Sequence, residues 1–111
     1  MAGSSRELVV EYSPSSLADL DEIWDWNAKQ YGTDHANAYL EHLRAETRKL
    51  ARSGIPGRPI HEDANLRYSL IRRGRRGYGH VVVFRVDGEI FYVYRILHTS
   101  QDWQREVTRV F

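Results

Sequence analysis

His80-Val81-Val82-Val83-Phe84-Arg85-Val86-Asp87-Gly88-Glu89-Ile90-Phe91-Tyr92-Val93-Tyr94-Arg95-Ile96-Leu97-His98 is the stretch that decides the fold. Two runs of β-branched and aromatic residues flank Asp87-Gly88, a strong short-range signal for a two-residue hairpin turn. The stretch reads as two antiparallel strands over 80–86 and 89–97. Placing Val86 opposite Glu89 sets a register in which Phe84 faces Phe91, Val82 faces Val93 and His80 faces Arg95. Directly opposed residues share a face. One face then carries Phe84, Phe91, Val82, Val93 and Leu97, with His80 and Arg95 at its end. The other carries Arg85, Val83, Tyr92, Tyr94 and His98. The first face is expected to be core and the second half-exposed.

Upstream of the hairpin, residues 66–72 (Leu66 to Arg72) alternate with a period near two and read as a further strand. Arg73-Gly74-Arg75-Arg76-Gly77-Tyr78-Gly79 separates it from the hairpin as a basic, glycine-rich loop. Further upstream the period becomes helical. Leu17, Leu20, Trp24, Ala28 and Tyr31 recur at steps of three or four, with Ile23 and Asn27 beside them. Ser13 is the expected N-cap and Pro14 the first helical residue. Acidic residues at 19, 21, 22 and 25 suit the early turns of that helix. Gly32 ends it. A second helix follows from Thr33 or Asp34, with Ala36, Leu40, Leu43, Thr47 and Leu50 as its stripe and Tyr39 beside it. The short connection implies an antiparallel helical hairpin. Ser53 to Pro59 reads as a loop, and 8–12 (Leu8 to Tyr12) as a short N-terminal strand. Residues 102–110 form a short helix or a frayed tail.

The expected class is therefore α+β: an N-terminal strand, a two-helix hairpin and a mainly antiparallel sheet, in the order β-α-α-β-β-β with a possible short C-terminal helix. The length of 111 residues fits one domain over 1–111, with 1–6 as a flexible N-terminus. Cysteine is absent, which excludes disulfides, thiolate metal sites and cysteine nucleophiles. No apolar run is long enough to span a bilayer and no apolar signal core is present, so the expected location is cytoplasmic, away from membranes.

The net charge of +1 hides an uneven distribution. The first 50 residues are net acidic and the remainder net basic, and nearly all basic residues are Arg. Arg suits phosphates, carboxylates and aromatic stacking. Arg67, Arg72, Arg73, Arg75, Arg76 and Arg85, with Tyr92 and Tyr94 on the same half of the chain, are thus candidates for binding an anionic or acidic partner. The run from Arg72 to Arg76 reads equally well as a solvated loop. Trp24 belongs to the apolar stripe and is expected in the core. Trp26 lies on the opposite side of the same helix and is a candidate interface anchor.

Metal chemistry has little support. His61-Glu62-Asp63 are neighbours in a loop, and adjacent residues rarely converge on one ion. His35 and His42 share a helical face without a third ligand. No metal and no cofactor are expected. Arg85, Tyr92, Tyr94 and His98 would supply parts for metal-free RNA cleavage, which needs proton transfer and a cation on phosphate. A packed or partner-facing sheet surface explains the same residues.

The ordered set of elements now meets specific residues. Tyr12-Ser13-Pro14, Asp19-Leu20 with Ile23-Trp24, Ala36 with Tyr39, Gly57-Arg58-Pro59, Gly79 to Val86 and Val93-x-Arg95-Ile96-Leu97-His98 with Asp102 follow one another in order. The chain resembles the RelE/ParE superfamily of type II toxin–antitoxin systems, and within it the ParE-like branch, from about Val9 to Trp103. The resemblance implies a toxin held by a cognate ParD-like antitoxin in a hetero-oligomer, with operator DNA reached only through the antitoxin. ParE-like toxins are associated with DNA gyrase inhibition, RelE-like ones with ribosome-dependent mRNA cleavage. The nuclease reading would use His98 with Arg85 or Arg95. The valine-rich penultimate strand and the long helical hairpin favour gyrase inhibition with no catalytic residue.

Overall fold

The structure, a computed structural model, describes residues 7–52, 57–60, 63–72 and 79–110. Strand β1 (Val9–Tyr12) leads into helix α1 (Pro14–Tyr31) and helix α2 (Thr33–Arg52). Strands β2 (Arg58–Ile60), β3 (Asp63–Arg72), β4 (Gly79–Asp87) and β5 (Ile90–His98) follow, and helix α3 (Trp103–Val110) closes the chain. The sheet order is β1-β5-β4-β3-β2. β1 runs parallel to β5, and the other neighbours are antiparallel. The expected α+β architecture is therefore the observed one, with β2 added. Arg58 and Pro59 read as loop because Pro59 lacks a ladder donor. An edge strand tolerates that defect, and β2 is an edge. The expected flexible segment 1–6, the loop residues 53–56, His61, Glu62 and the arginine loop 73–78 lie outside the described residues.

The helical hairpin forms for local reasons. The Ser13 Oγ accepts from the Ser16 N–H at 3.0 Å, and Pro14 occupies the first turn, where a missing N–H is harmless. Gly32 ends α1 at φ 97° and donates to the Ala28 carbonyl at 2.9 Å. A side chain is strained at such a φ, so glycine suits the one-residue corner between the helices.

Two cores lie on opposite faces of the sheet. Between helices and sheet, Leu20, Ile23, Tyr39 and Leu43 pack on Val82, Phe84, Phe91, Val93 and Ile96. Phe84 and Phe91 stack at 4.2 Å. On the far face, Ile60, Leu66, Val81, Val83 and Leu97 pack with Val107 of α3, and Trp103 lies against Tyr68 at 4.7 Å. The far face is half-exposed as expected at Arg85, Tyr92 and Tyr94, but Val83 is fully buried where Val107 of α3 packs on the sheet. This explains the unbroken valine run, because β4 is buried on both faces.

The hairpin register also differs. Asp87 pairs with Ile90, so Gly88 and Glu89 form the tip, with Gly88 at φ 61°. This two-residue offset preserves the faces near the turn, and Phe84 and Phe91 remain on the helix side. The register then shifts between Val83 and Phe84, where Val83 meets Arg95 and Phe84 meets Val93. Tyr94 is the extra residue of a β-bulge, which exchanges the faces beyond it. Leu97 therefore joins Val81 and Val83, and His98 joins His80. Both residues had been expected on the opposite sides.

On α1 the buried residues are Ser16, Asp19, Leu20, Ile23 and Asn27. The expected stripe is corrected: Leu17 and Tyr31 are exposed at 45% and 61%. Trp24 is half-buried between the helices, where its Nε1–H donates to Asn37 Oδ1 at 2.8 Å. Apolar periodicity misses this face because three of its members are polar and satisfied in place; Ser16 Oγ donates to the Ser13 carbonyl at 2.9 Å. Asn27 Nδ2 donates to the Ile23 carbonyl at 2.7 Å. Asp19 is held by the sheet.

Candidate functional site

The β5 bulge is where helix and sheet meet. Its exposed backbone groups are taken up by side chains from the start of α1. The Ser13 Oγ–H donates to the Tyr94 carbonyl at 2.7 Å, and the Ile96 N–H donates to Asp19 Oδ2 at 2.9 Å. Asp19 also accepts from Arg95, from Nε at 2.8 Å and from Nη2 at 3.0 Å. The hydrogen bond to Asp19 holds the Arg95 guanidinium above its ordinary pKa. Burial opposes that rise, and the charges of Asp19, Glu106 and Glu22 add to it. Arg95 is thus one cation among three carboxylates.

A groove of about 990 Å³ opens beside this pair. Its floor includes Ile96, His80 and Tyr39, and its rim includes Trp26, Tyr31 and His98. The Tyr39 hydroxyl meets His80 Nδ1 at 2.5 Å. His80 is buried, and desolvation, helped by the charge of His98 and opposed by Asp19, lowers its pKa to about 4. It is therefore neutral near pH 7, and it shares a hydrogen bond with the Tyr39 hydroxyl whose direction follows the imidazole tautomer. The His80 and His98 rings stand edge to face at 5.0 Å. The Ser100 N–H donates to His98 Nδ1 at 3.0 Å, which makes that nitrogen an acceptor. On the rim, Trp26 and Tyr31 meet at 5.9 Å, and Tyr31 meets His35 at 4.5 Å.

The other candidate residues are dispersed. Arg85 opposes Tyr92 near the hairpin tip and lies 3.3 Å from Asp87. Tyr92 and Tyr94 contact each other at 4.8 Å, both half-buried. Arg67 Nη2 donates to the Gly57 carbonyl at 3.0 Å and so ties β3 to the edge of the sheet. The carbonyl of exposed Arg72 accepts from His42 at 3.1 Å. Arg73, Arg75 and Arg76 lie outside the described residues. Trp26 is exposed at 56%. The expected set of Arg85, Tyr92, Tyr94 and His98 does not assemble. His98 lies six residues along β5 from Tyr92, roughly 20 Å at strand rise. The bulge also turns it to the other face. Among the described residues no group of three or more His, Asp or Glu side chains could hold a metal ion, and no helix is long and apolar enough to cross a membrane.

A second groove, of about 310 Å³, runs between β1 and α2. Val10, Tyr12, Arg44 and Arg48 line it, and the Arg44 guanidinium lies 5.6 Å over the Tyr12 ring. Sequence reasoning missed these two arginines, which are scattered in the chain and meet β1 only in the fold.

A five-stranded sheet carries a long helical hairpin and two open grooves. The chain belongs to the ParE family, the toxins of type II toxin–antitoxin systems of the parDE kind; the family model matches residues 10–103. It is 34% identical over 108 residues to Toxin ParE1 of Mycobacterium tuberculosis, covering 94% of this chain and 99% of that protein. It is 36% identical over 90 residues to Toxin ParE1 of Caulobacter vibrioides, covering 81% and 88%. A solved structure described as a chromosomal ParDE TA system from P. aeruginosa superposes with a TM-score of 0.67 at 20% identity, over 82% of this chain and 95% of that one. That likeness is one of fold.

Proposed function

We propose that this toxin arrests growth by binding and inhibiting DNA gyrase in the cytoplasm, and that a ParD-like antitoxin neutralises it. The observation that carries the reading is the separation of the parts a nuclease would need. His98 sits at one end of β5, and Arg85 lies by the hairpin tip, paired with Asp87. Arg95 is closer to His98, but Asp19 occupies its donor fork. Among the described residues, a phosphate arriving beside His98 would meet the carboxylates of Asp19 and Glu22 beside the Arg95 guanidinium, an arrangement that opposes developing negative charge. Inhibition by binding requires no such constellation.

Antitoxin binding has physical support at β1. This strand is a sheet edge, and an extended segment can add to an open edge while its alternate side chains fill the groove beside it. Arg44 and Arg48 there suit acidic side chains. Arg85, Tyr92 and Tyr94 offer a second contact. Operator DNA enters only through the antitoxin.

Inducible expression tests the function. The expected result is a DNA-damage response with intact mRNA and continuing translation in the first minutes. Immediate mRNA cleavage without DNA damage would reject gyrase as target.

A further inference from the structure

The grooved side of α1 differs in charge and chemistry from the arginine-bearing surfaces. Trp26 and Tyr31, exposed at 56% and 61%, are the two largest exposed aromatic side chains among the described residues, and they touch. Neither contributes to a core. Trp and Tyr are the residue types that most often anchor protein interfaces, and two left open side by side form a ready contact surface. Glu22 lies one helical turn before Trp26 and lines the same groove. It makes no ion pair among the described residues.

The sign of the charge selects the partner. Asp19 and Arg95 cancel each other, and the carboxylates of Glu22 and Glu106 both act on the Arg95 guanidinium. Among the described residues that line the groove, Glu22 is thus the carboxylate left over once Asp19 and Arg95 cancel. Asp25 and Lys29, further round α1, offset each other in charge. A phosphate or an acidic peptide would be repelled here. A guanidinium would gain a carboxylate at Glu22 and ring faces at Trp26 and Tyr31, through charge-assisted hydrogen bonding and cation–π attraction.

We propose that the groove rimmed by Trp26, Tyr31 and Glu22 is the docking site for a basic, arginine-bearing segment of the toxin's protein target. This rests on the reading of the chain as a toxin that acts by binding a protein, and it names the surface and the chemistry of the bound segment. It also divides the molecule: acidic antitoxin segments suit the β1 edge and the sheet arginines, and the target takes the acidic, aromatic side of α1.

The test uses the full chain with Glu22→Gln, Glu22→Lys, Trp26→Ala and Tyr31→Ala. These side chains are exposed, so the fold should persist, and unchanged far-UV circular dichroism and antitoxin affinity check it. Growth inhibition on expression is read as the inducer level for half-maximal arrest. Trp26→Ala and Glu22→Lys should each raise that level about tenfold, Glu22→Gln less than Glu22→Lys, with antitoxin affinity kept within twofold. Equal effects of Gln and Lys at position 22, or unchanged toxicity in all four variants, would overturn the proposal. Greater toxicity of Glu22→Lys would show a polyanionic target and overturn it too, and a parallel loss of antitoxin affinity would assign the groove to the antitoxin instead. Gyrase supercoiling with the wild-type chain separates the two claims. A groove-dependent toxicity that leaves gyrase untouched would sustain the docking site and reject gyrase, while a wild-type chain without toxicity would reject both.

Discussion

Asp19 on α1 accepts two hydrogen bonds from the Arg95 guanidinium and a third from the Ile96 N–H, so one carboxylate fastens the helical hairpin to the β5 bulge. Removing it leaves a buried N–H and a partly buried guanidinium without their acceptor. Breaking such a pair from one side costs roughly 3–5 kcal/mol, and Arg95, about a quarter exposed, places this case near the lower bound. Asp19→Ala should therefore destabilise the toxin by about 3 kcal/mol in urea unfolding. The double variant with Arg95→Ala should be less destabilised than the two single losses added together. Strict additivity would show that the pair is not coupled.

His80 makes stability depend on pH with a definite sign. Its folded pKa is about 4, against about 6.5 unfolded. Between those values the unfolded chain binds more protons, so stability falls as pH drops from about 6.5 towards 4 and is complete above that window. The loss is of order 3 kcal/mol. His80→Gln should flatten the profile in this range relative to wild type, and superimposable profiles would show that His80 does not titrate in this way.

Gly79 marks a close approach of β4 to β3. A Cβ there would lie 2.1 Å from the Ile71 carbonyl oxygen, a backbone atom that cannot swing aside. The Gly79 backbone is also fixed from the other side: its N–H donates to Thr99 Oγ1 at 3.0 Å and its carbonyl accepts from the Thr99 N–H at 3.0 Å. Gly79→Ala should lower stability by about 2 kcal/mol or more. Because Gly79 lines the groove, toxicity should fall with it. An unchanged thermal midpoint would contradict the packing argument.

Much of this was legible in the chain. The Ser13-Pro14 cap and the Gly32 corner each carry local chemistry that acts wherever the residues stand, and Asp87-Gly88 marked the hairpin although the tip falls one residue later, at Gly88-Glu89. Trp26 was readable as exposed because helical geometry opposes it to Trp24. What escaped is non-local. The Tyr94 bulge has no signature of its own, since it exists through Ser13 and Asp19, some eighty residues away in sequence, satisfying its backbone. It moved His98 beside His80 and Leu97 to the far core. Asp19 read as helix-start charge because a buried carboxylate is only reasonable once its partner is known. Arg44 and Arg48 meet β1 only after α2 folds back.

The reading of His98 as a packed groove residue carries its own consequence. Arg85→Ala should leave toxicity within about twofold, and His98→Ala, on the groove rim, should lower it by no more than the roughly tenfold expected of Trp26→Ala, because neither is asked to transfer a proton or hold a phosphate. A hundredfold loss from His98→Ala, with antitoxin binding intact, would restore a catalytic role, since losing a general acid or base typically costs about that much or more.

The central claim is inhibition of gyrase by binding, and a supercoiling assay with purified toxin tests it most directly. Relaxed plasmid, gyrase and ATP are incubated with increasing toxin, with and without equimolar antitoxin. Loss of supercoiling with accumulation of cleaved plasmid, reversed by antitoxin and retained in Arg85→Ala, is the predicted result. Full supercoiling at a stoichiometric excess of toxin over gyrase would contradict the account.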